Sequence, residues 1–334
     1  MRPQHIALAV LVAAVWGVNF VVIEIGLGHF PPLLFSALRF LAAALPAVFF
    51  VRRPKTGWKW IIAVGLVLGV AKFGLLFTGM HLGMPAGLSS LVLQIQAVFT
   101  AVVAAVVLGE RPGRVRVAGM CVALAGITVA GIDEGTSGPL LAFALLIAAA
   151  AFWGVSNVLT RMAAPENAMG FMVWTSVVPI LPLLGLSLLV EGPRADLDAL
   201  RSLDWSGGAT VVYVAWVTTL FGFGAWSFLL RSYPASSVAP FSLLVPVFGM
   251  SAAALVLGEE IGPLRWCAAV LLVTGVAVTS LGGPASGRGR IRRTGRAART
   301  DGPGPLPAAP EAPVPAGTSA SRTPTTASRP SPRG

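Results

Sequence analysis

Residues 85–110 read PAGLSSLVLQIQAVFTAVVAAVVLGE, and residues 234–259 read PASSVAPFSLLVPVFGMSAAALVLGE. At a shift of 149, Pro85-Ala86 falls on Pro234-Ala235 and Val98-Phe99 on Val247-Phe248. Leu108-Gly109-Glu110 falls on Leu257-Gly258-Glu259, and Arg116 on Arg265. At a shift of 137, Trp16-Gly17-Val18 falls on Trp153-Gly154-Val155. Self-similarity at a nearly fixed offset marks a repeated structural unit. The two halves are therefore related, with insertions between the matched blocks.

Both quoted stretches are apolar enough to cross a bilayer, which takes about 20 residues of helix. Ten such spans are predicted, over 5–27, 33–51, 59–80, 86–108, 114–132, 139–161, 168–190, 207–230, 234–257 and 263–282. The first is too long for the apolar segment of a signal peptide, and no small-residue cleavage site follows it. The expected fold is an all-α membrane protein of ten transmembrane helices in two five-helix repeats. The first repeat covers 1–135 and the second 136–282; 283–334 is a tail. Five is odd, so the second copy enters the membrane upside down. Inverted repeats of this kind are a signature of secondary transporters.

Composition agrees. The chain of 334 residues is 55% hydrophobic and 11% charged, where a soluble domain carries about 25% charge. Its mean hydropathy is +0.81. This excludes an ordinary cytosolic enzyme. The net charge of +11 is unevenly spread, since nine of the 24 basic residues lie in 283–334 beside only Asp301 and Glu311. The basic character thus speaks for anionic lipid headgroups as counter-charge rather than for nucleic acid. The tail, Arg-rich from Arg288 to Arg299 and then rich in Pro, Ala, Ser and Thr, has no apolar periodicity and is expected to be disordered. Its arginines serve as a topology anchor or a headgroup tether. With the N-terminus in the cytoplasm, inside segments hold ten Lys and Arg before the tail, and outside loops hold only Arg194, Arg201 and Arg265. That bias places both termini in the cytoplasm. Cys121 and Cys267 sit in apolar runs and are expected as small buried hydrophobes; His81 and the other histidines have no ligand spacing.

Trp16-Gly17-Val18-Asn19-Phe20, Leu38-Arg39-Phe40, Gly83-Met84-Pro85-Ala86-Gly87 and Leu108-Gly109-Glu110 resemble the EamA family of the drug/metabolite transporter superfamily. The runs 31–54, 90–97 and 238–247 are similar, more narrowly, to its bacterial members that export cysteine and O-acetylserine. The resemblance covers about 1–282. It implies a ten-helix fold in a bacterial cytoplasmic membrane and export of small metabolites. The chain differs from those members at Glu24, where they carry a base, and at Lys72, where they are uncharged.

Charge near the bilayer centre costs about 2.5–3.5 kcal/mol on insertion scales. Asn19, Arg39, Lys72, Gln94 and Gln96 fall within about 5 Å of one depth, at about 1.5 Å of rise per residue. Two cations and three amides suit a small zwitterionic or anionic solute, with Arg39 able to grip a carboxylate. Alternatives stand beside each residue. These are a structural ion pair of Arg39 with Glu24, snorkelling of Lys72 to water, and an interhelical bond from Asn19. Gln94 and Gln96 point to different sides of one helix, so at most one faces the solute. Glu24 is the candidate proton-coupling carboxylate, about 12 Å outward of mid-helix. The second half offers only weak candidates, among them Ser156, Asn157, Thr175, Ser176, Tyr213, Thr218, Thr219 and Ser242, with Trp153, Trp174 and Trp216. Hydroxyls in helices mostly bond their own backbone.

Pro240 and Pro246 interrupt the ninth span, freeing carbonyls that line a cavity or pack against protein. Gly65/Gly69 and Gly79/Gly83 have the spacing for close helix approach, within the bundle or in a homodimer. No metal cluster, nucleotide loop, sodium-site pattern or nucleophile–base pair is visible, so no cofactor and no intramembrane enzyme is expected. The expected function is export of cysteine, O-acetylserine or a similar metabolite by alternating access at a midplane site. Another amino acid, a purine or a drug-like compound is the rival cargo, and a non-transporting scaffold the rival of another class. Coupling to protons or passive efflux are both open.

Overall fold

The computed structural model describes residues 1–135 and 140–281; the tail, with its expected disorder, lies outside the described residues. Among the described residues, ten helices are long and apolar enough to span a membrane. They are α1 Pro3–Leu27, α2 Pro32–Phe50, α3 Trp58–His81, α4 Ala86–Leu108, α5 Arg114–Asp133, α6 Leu140–Ala163, α7 Ala168–Val190, α8 Trp205–Ser232, α9 Ala239–Leu257 and α10 Pro263–Ser280. Among the described residues there is no strand.

Local sequence sets the helix ends. Pro3 and Pro32 open α1 and α2, where the missing N–H is no loss. Asn167 caps α7 by accepting the Gly170 N–H at 3.0 Å, and Asp204 caps α8 by accepting the Gly207 N–H at 2.7 Å. The repeated Leu-Gly-Glu motif is a helix stop. Gly109 and Gly258 close α4 and α9 at φ 67° and 71°, a left-handed cap that favours glycine.

Contacts between connectors sort the bundle into two faces. On the face that carries the N-terminus, the Arg2 N–H donates to Tyr233 Oη at 3.1 Å, Lys55 meets Glu166 at 3.9 Å, and Glu110 binds Arg116 at 3.8 Å and Arg161 more closely. On the far face, His29 meets Asp204 at 3.4 Å, the Leu33 N–H donates to Glu191 at 2.7 Å, and Arg265 binds Asp133 at 2.9 Å. The first Leu-Gly-Glu therefore lies on the N-terminal face and the second on the far face. The second repeat is inverted.

The repeat is written in the backbone as well as in the sequence. Wider π turns occupy Gly65–Lys72 in α3 and Tyr213–Phe221 in α8, and tight 3-10 turns occupy Leu93–Ile95 in α4 and Ala239–Leu244 in α9. These stretches correspond at the same shift. Side-chain contacts are swapped between halves. A Cβ at Gly17 of α1 would stand 2.6 Å from Phe248 Cβ, and one at Gly154 of α6 would stand 2.7 Å from Phe99 Cβ. Phe99 and Phe248 are equivalents, so each Trp-Gly motif lets its helix press against the same phenylalanine of the opposite repeat. Likewise Gly126 of α5 packs on Leu272 of α10, while Gly275 packs on Ala123. Close backbone approach at small residues is the usual basis of helix association in lipid.

Two expectations are corrected or narrowed. Cys121 and Cys267 are exposed, not buried; each faces outward with the other apolar side chains that clothe a bundle in lipid, such as Leu255 and Phe50. Of the glycine pairs, Gly65 and Gly69 pack on Val178 and Pro179 of α7, and Gly79 packs on Leu146 of α6. Gly83 lies in the turn after α3 with φ 103°.

Candidate substrate site

Two buried cations share one aromatic ring between the repeats. Arg39 of α2 is 2% exposed and Lys72, the last residue of the π stretch in α3, is 4% exposed. The Arg39 guanidinium carbon lies 4.0 Å from the Phe73 ring centre, and Lys72 Nζ lies 3.3 Å from it. The two charges are thus separated by no more than the sum of those distances, about 7 Å, a repulsion on the order of 2 kcal/mol at an effective dielectric near 20. Ring faces partly offset this. Arg39 also lies 5.0 Å from Phe40, and Lys72 Nζ lies 4.6 Å from Trp153 of α6, contacts worth about 2 kcal/mol each when desolvated.

Hydrogen bonding leaves Arg39 incomplete. Its Nη2 donates to Thr219 Oγ1 of α8 at 3.0 Å. Thr219 in turn donates to the Val214 carbonyl, five residues back along the π stretch, at 2.9 Å, which frees its oxygen to accept. Arg39 Nε and Nη1 are buried with no partner. The three N–H groups on those two nitrogens, of the five in the guanidinium, thus lack an acceptor. Lys72 makes no hydrogen bond, and neither cation forms an ion pair, among the described residues. The expected alternative of an Arg39–Glu24 pair does not form. Snorkelling of Lys72 does not occur either, since its ammonium is turned inward onto the rings.

The amides divide. Asn19 of α1, 7% exposed, accepts from Thr218 Oγ1 at 2.9 Å, next to the threonine that holds Arg39. Gln94, 8% exposed, donates to the Ser242 carbonyl at 3.1 Å, joining the tight turn of α4 to its counterpart in α9. Gln96 is turned the other way, into a polar knot where its Oε1 accepts from Asn157 Nδ2 at 2.7 Å. The structure therefore brings Arg39 and Lys72 together, sets Asn19 beside them through Thr218 and Thr219, and engages both glutamines between helices. Ser156, Thr175, Ser176 and Ser242 bond backbone carbonyls three or four residues away, as hydroxyls in helices usually do. Phe73, absent from the sequence-based candidates, is the ring that organises the cations; its adjacency to Lys72 was the available signal.

Glu24 lies five residues beyond Asn19 towards the far face. Its Oε2 is buried without a partner, while the residue as a whole is half-buried. Glu259 itself seals the start of α4, accepting the Gly87 N–H at 3.1 and 3.3 Å. Burial pushes the Glu259 carboxyl above its ordinary range, against the opposing pull of the Gly87 and Ala86 N–H groups and of Arg265. Sequence reasoning saw Glu259 only as a motif residue. Beside this end, a hollow of about 490 Å³ opens between the α1–α2 turn, His81 and Glu191.

A bundle of two inverted five-helix repeats, with unsatisfied buried cations between them, is the architecture of a secondary transporter. Residues 4–132 and 140–281 each match the EamA-like transporter family, and the chain belongs to it. It is 42% identical over 296 residues to a protein of Salmonella typhimurium named probable amino-acid metabolite efflux pump, covering 86% of this chain and 97% of that one. A protein of Escherichia coli K12 with the same name is 39% identical over 289 residues, covering 84% and 96%. A probable terminal-alkyne amino-acid exporter of Streptantibioticus cattleyicolor is 27% identical, covering 80% and 90%. One solved crystal structure, 20% identical, covers 84% of this chain and 98% of its own at a TM-score of 0.57, a likeness of fold.

Proposed function

We propose that the protein exports small amino-acid metabolites, cysteine and O-acetylserine or close relatives, by alternating access to a site at Arg39. The observation that carries this is the Arg39 guanidinium, buried between the repeats with Nε and Nη1 unpartnered. A carboxylate is the group that supplies those missing acceptors. Names of the relatives similar over most of their length support the cargo class. The swapped contacts of Gly17 and Gly154 support the exchange of roles between halves that alternating access requires. Asn19, Lys72 and Gln94 complete the binding region, and Gln96 steadies α4 against α6. The basic residues on the N-terminal face support a cytoplasmic orientation for both termini, which makes the far face external. Glu24, half-buried towards that face with its Oε2 unpartnered, is the group proposed to carry a coupling proton.

Counterflow of labelled cysteine and O-acetylserine in proteoliposomes tests the site. Arg39→Ala is expected to lower transport about 10- to 100-fold, the worth of a charged hydrogen bond or two, while the purified variant keeps its monodisperse elution and melting transition. Full transport by that variant removes Arg39 from the site. Uptake into inverted vesicles with and without a pH gradient tests coupling; Glu24→Gln is expected to abolish the dependence on the gradient.

A further inference from the structure

The charge balance of the site ranks the amino-acid metabolites just proposed and their acidic or acylated derivatives by charge, and the inference rests on that proposal. The ten spans contain only two acids, Glu24 and Asp133. Asp133 ends α5 and binds Arg265 on the far face. Glu24 stands about 7–8 Å along the helix axis from Asn19 and, among the described residues, makes no ion pair with either cation. An α-ammonium group arriving beside Arg39 and Lys72 thus meets no carboxylate. The rings beside Lys72, the other home for a buried ammonium, are already taken. Phe73 already carries both protein cations, and Trp153 carries Lys72.

A zwitterion placed here would leave the buried site with two net positive charges, and its own ammonium would lie near both. An anion relieves the repulsion between Arg39 and Lys72 while filling the vacant N–H groups of Arg39. We infer that the preferred cargo carries net negative charge, as an amino-acid derivative with a second acidic group or with its amino group acylated. One carboxylate sits on Arg39, and the other acidic or acyl oxygen faces the Lys72 ammonium. Lys72 is then the residue that sets the charge preference, while Arg39 holds the carboxylate common to every candidate.

The test is inhibition and counterflow in proteoliposomes at pH 7, with aspartate and N-acetylserine as the two kinds of anion and cysteine and O-acetylserine as zwitterions. Anions are expected to compete at concentrations about tenfold or more below the zwitterions, with the two anions distinguishing a second acid from an acylated amine. Lys72→Met is expected to collapse that ratio towards one, and Arg39→Gln to remove transport of all four. Elution profile and melting temperature of each variant separate loss of recognition from loss of fold. Zwitterions carried better than anions, with transport still dependent on Arg39, overturns the charge preference and leaves the carboxylate site standing. A preference that survives Lys72→Met overturns the role of Lys72. Transport indifferent to Arg39 instead sinks the proposed site itself.

Discussion

Arg39, Phe73 and Lys72 show what a single residue contributes when it is buried without its complement. Removing an ionised group from water is expensive, and only a partner or a function explains its retention. Thr219 and the rings meet part of the requirement of Arg39; Lys72 has rings alone. Lys72→Met, of similar volume and without charge, is therefore expected to stabilise the empty protein by on the order of 1 kcal/mol, read as a raised melting temperature in detergent. A lowered one would show that the ammonium is structurally satisfied. At this scale the sequence was informative about depth and silent about direction. Helical rise alone put Asn19, Arg39 and Lys72 on one level. It could not single out Phe73 among 17 phenylalanines, or Thr219 among many hydroxyls, because those roles depend on where α2, α3 and α8 cross. The separation of Glu24 from Arg39 has the same origin, since two residues on different helices pair only if the helices bring them round to one side.

At the scale of elements, the two Leu-Gly-Glu turns are equivalent in chain position and opposite in chemistry. Glu110 accepts a hydrogen bond from Arg161, which holds that carboxyl below the ordinary carboxylate range, against the smaller cost of burial. Its tie is present at neutral pH and is lost only as pH falls through that lowered value. Glu259, raised by burial over Gly87 and flanked by Glu24 and Arg265, works the other way. A carboxyl raised in one arrangement binds protons there more readily than when solvated, so that arrangement is most favoured at low pH and loses ground as pH rises towards the raised value. Acidifying the far face is expected to favour the arrangement with Glu259 over Gly87, and Glu259→Gln to do so without regard to pH. Distances between spin labels at Leu82 and Leu264, followed across pH, check both; labels that separate on acidification contradict the assignment. The glycine stop of each turn was legible from sequence. The burial that divides the two glutamates was not, since it arises from what packs over each turn.

For the whole molecule, the inverted arrangement was open to reading because it needs only counting: ten spans, two homologous sets, an odd number in each, and basic residues gathered on one face. The swapped contacts give that arrangement mechanical content. Gly17→Ala pushes α1 from α9, and Gly154→Ala pushes α6 from α4, at equivalent places in opposite orientation. Each Cβ would stand within 3 Å of its neighbour, so the helices must shift. The two variants are expected to bias the protein towards opposite open forms, measured as opposite changes in thiol labelling from the two sides of the membrane; the same change in both would break the correspondence. A further consequence concerns the unloaded carrier. Where two poses of a machine are built from interchangeable contacts, their free energies differ only through positions that lack a twin, among them Lys72 against Phe221 and Gly87 against Ser236. Where the contacts match, as at Gly17 with Phe248 and Gly154 with Phe99, neither pose gains on the other, so the unmatched positions alone decide which way the vacant carrier rests.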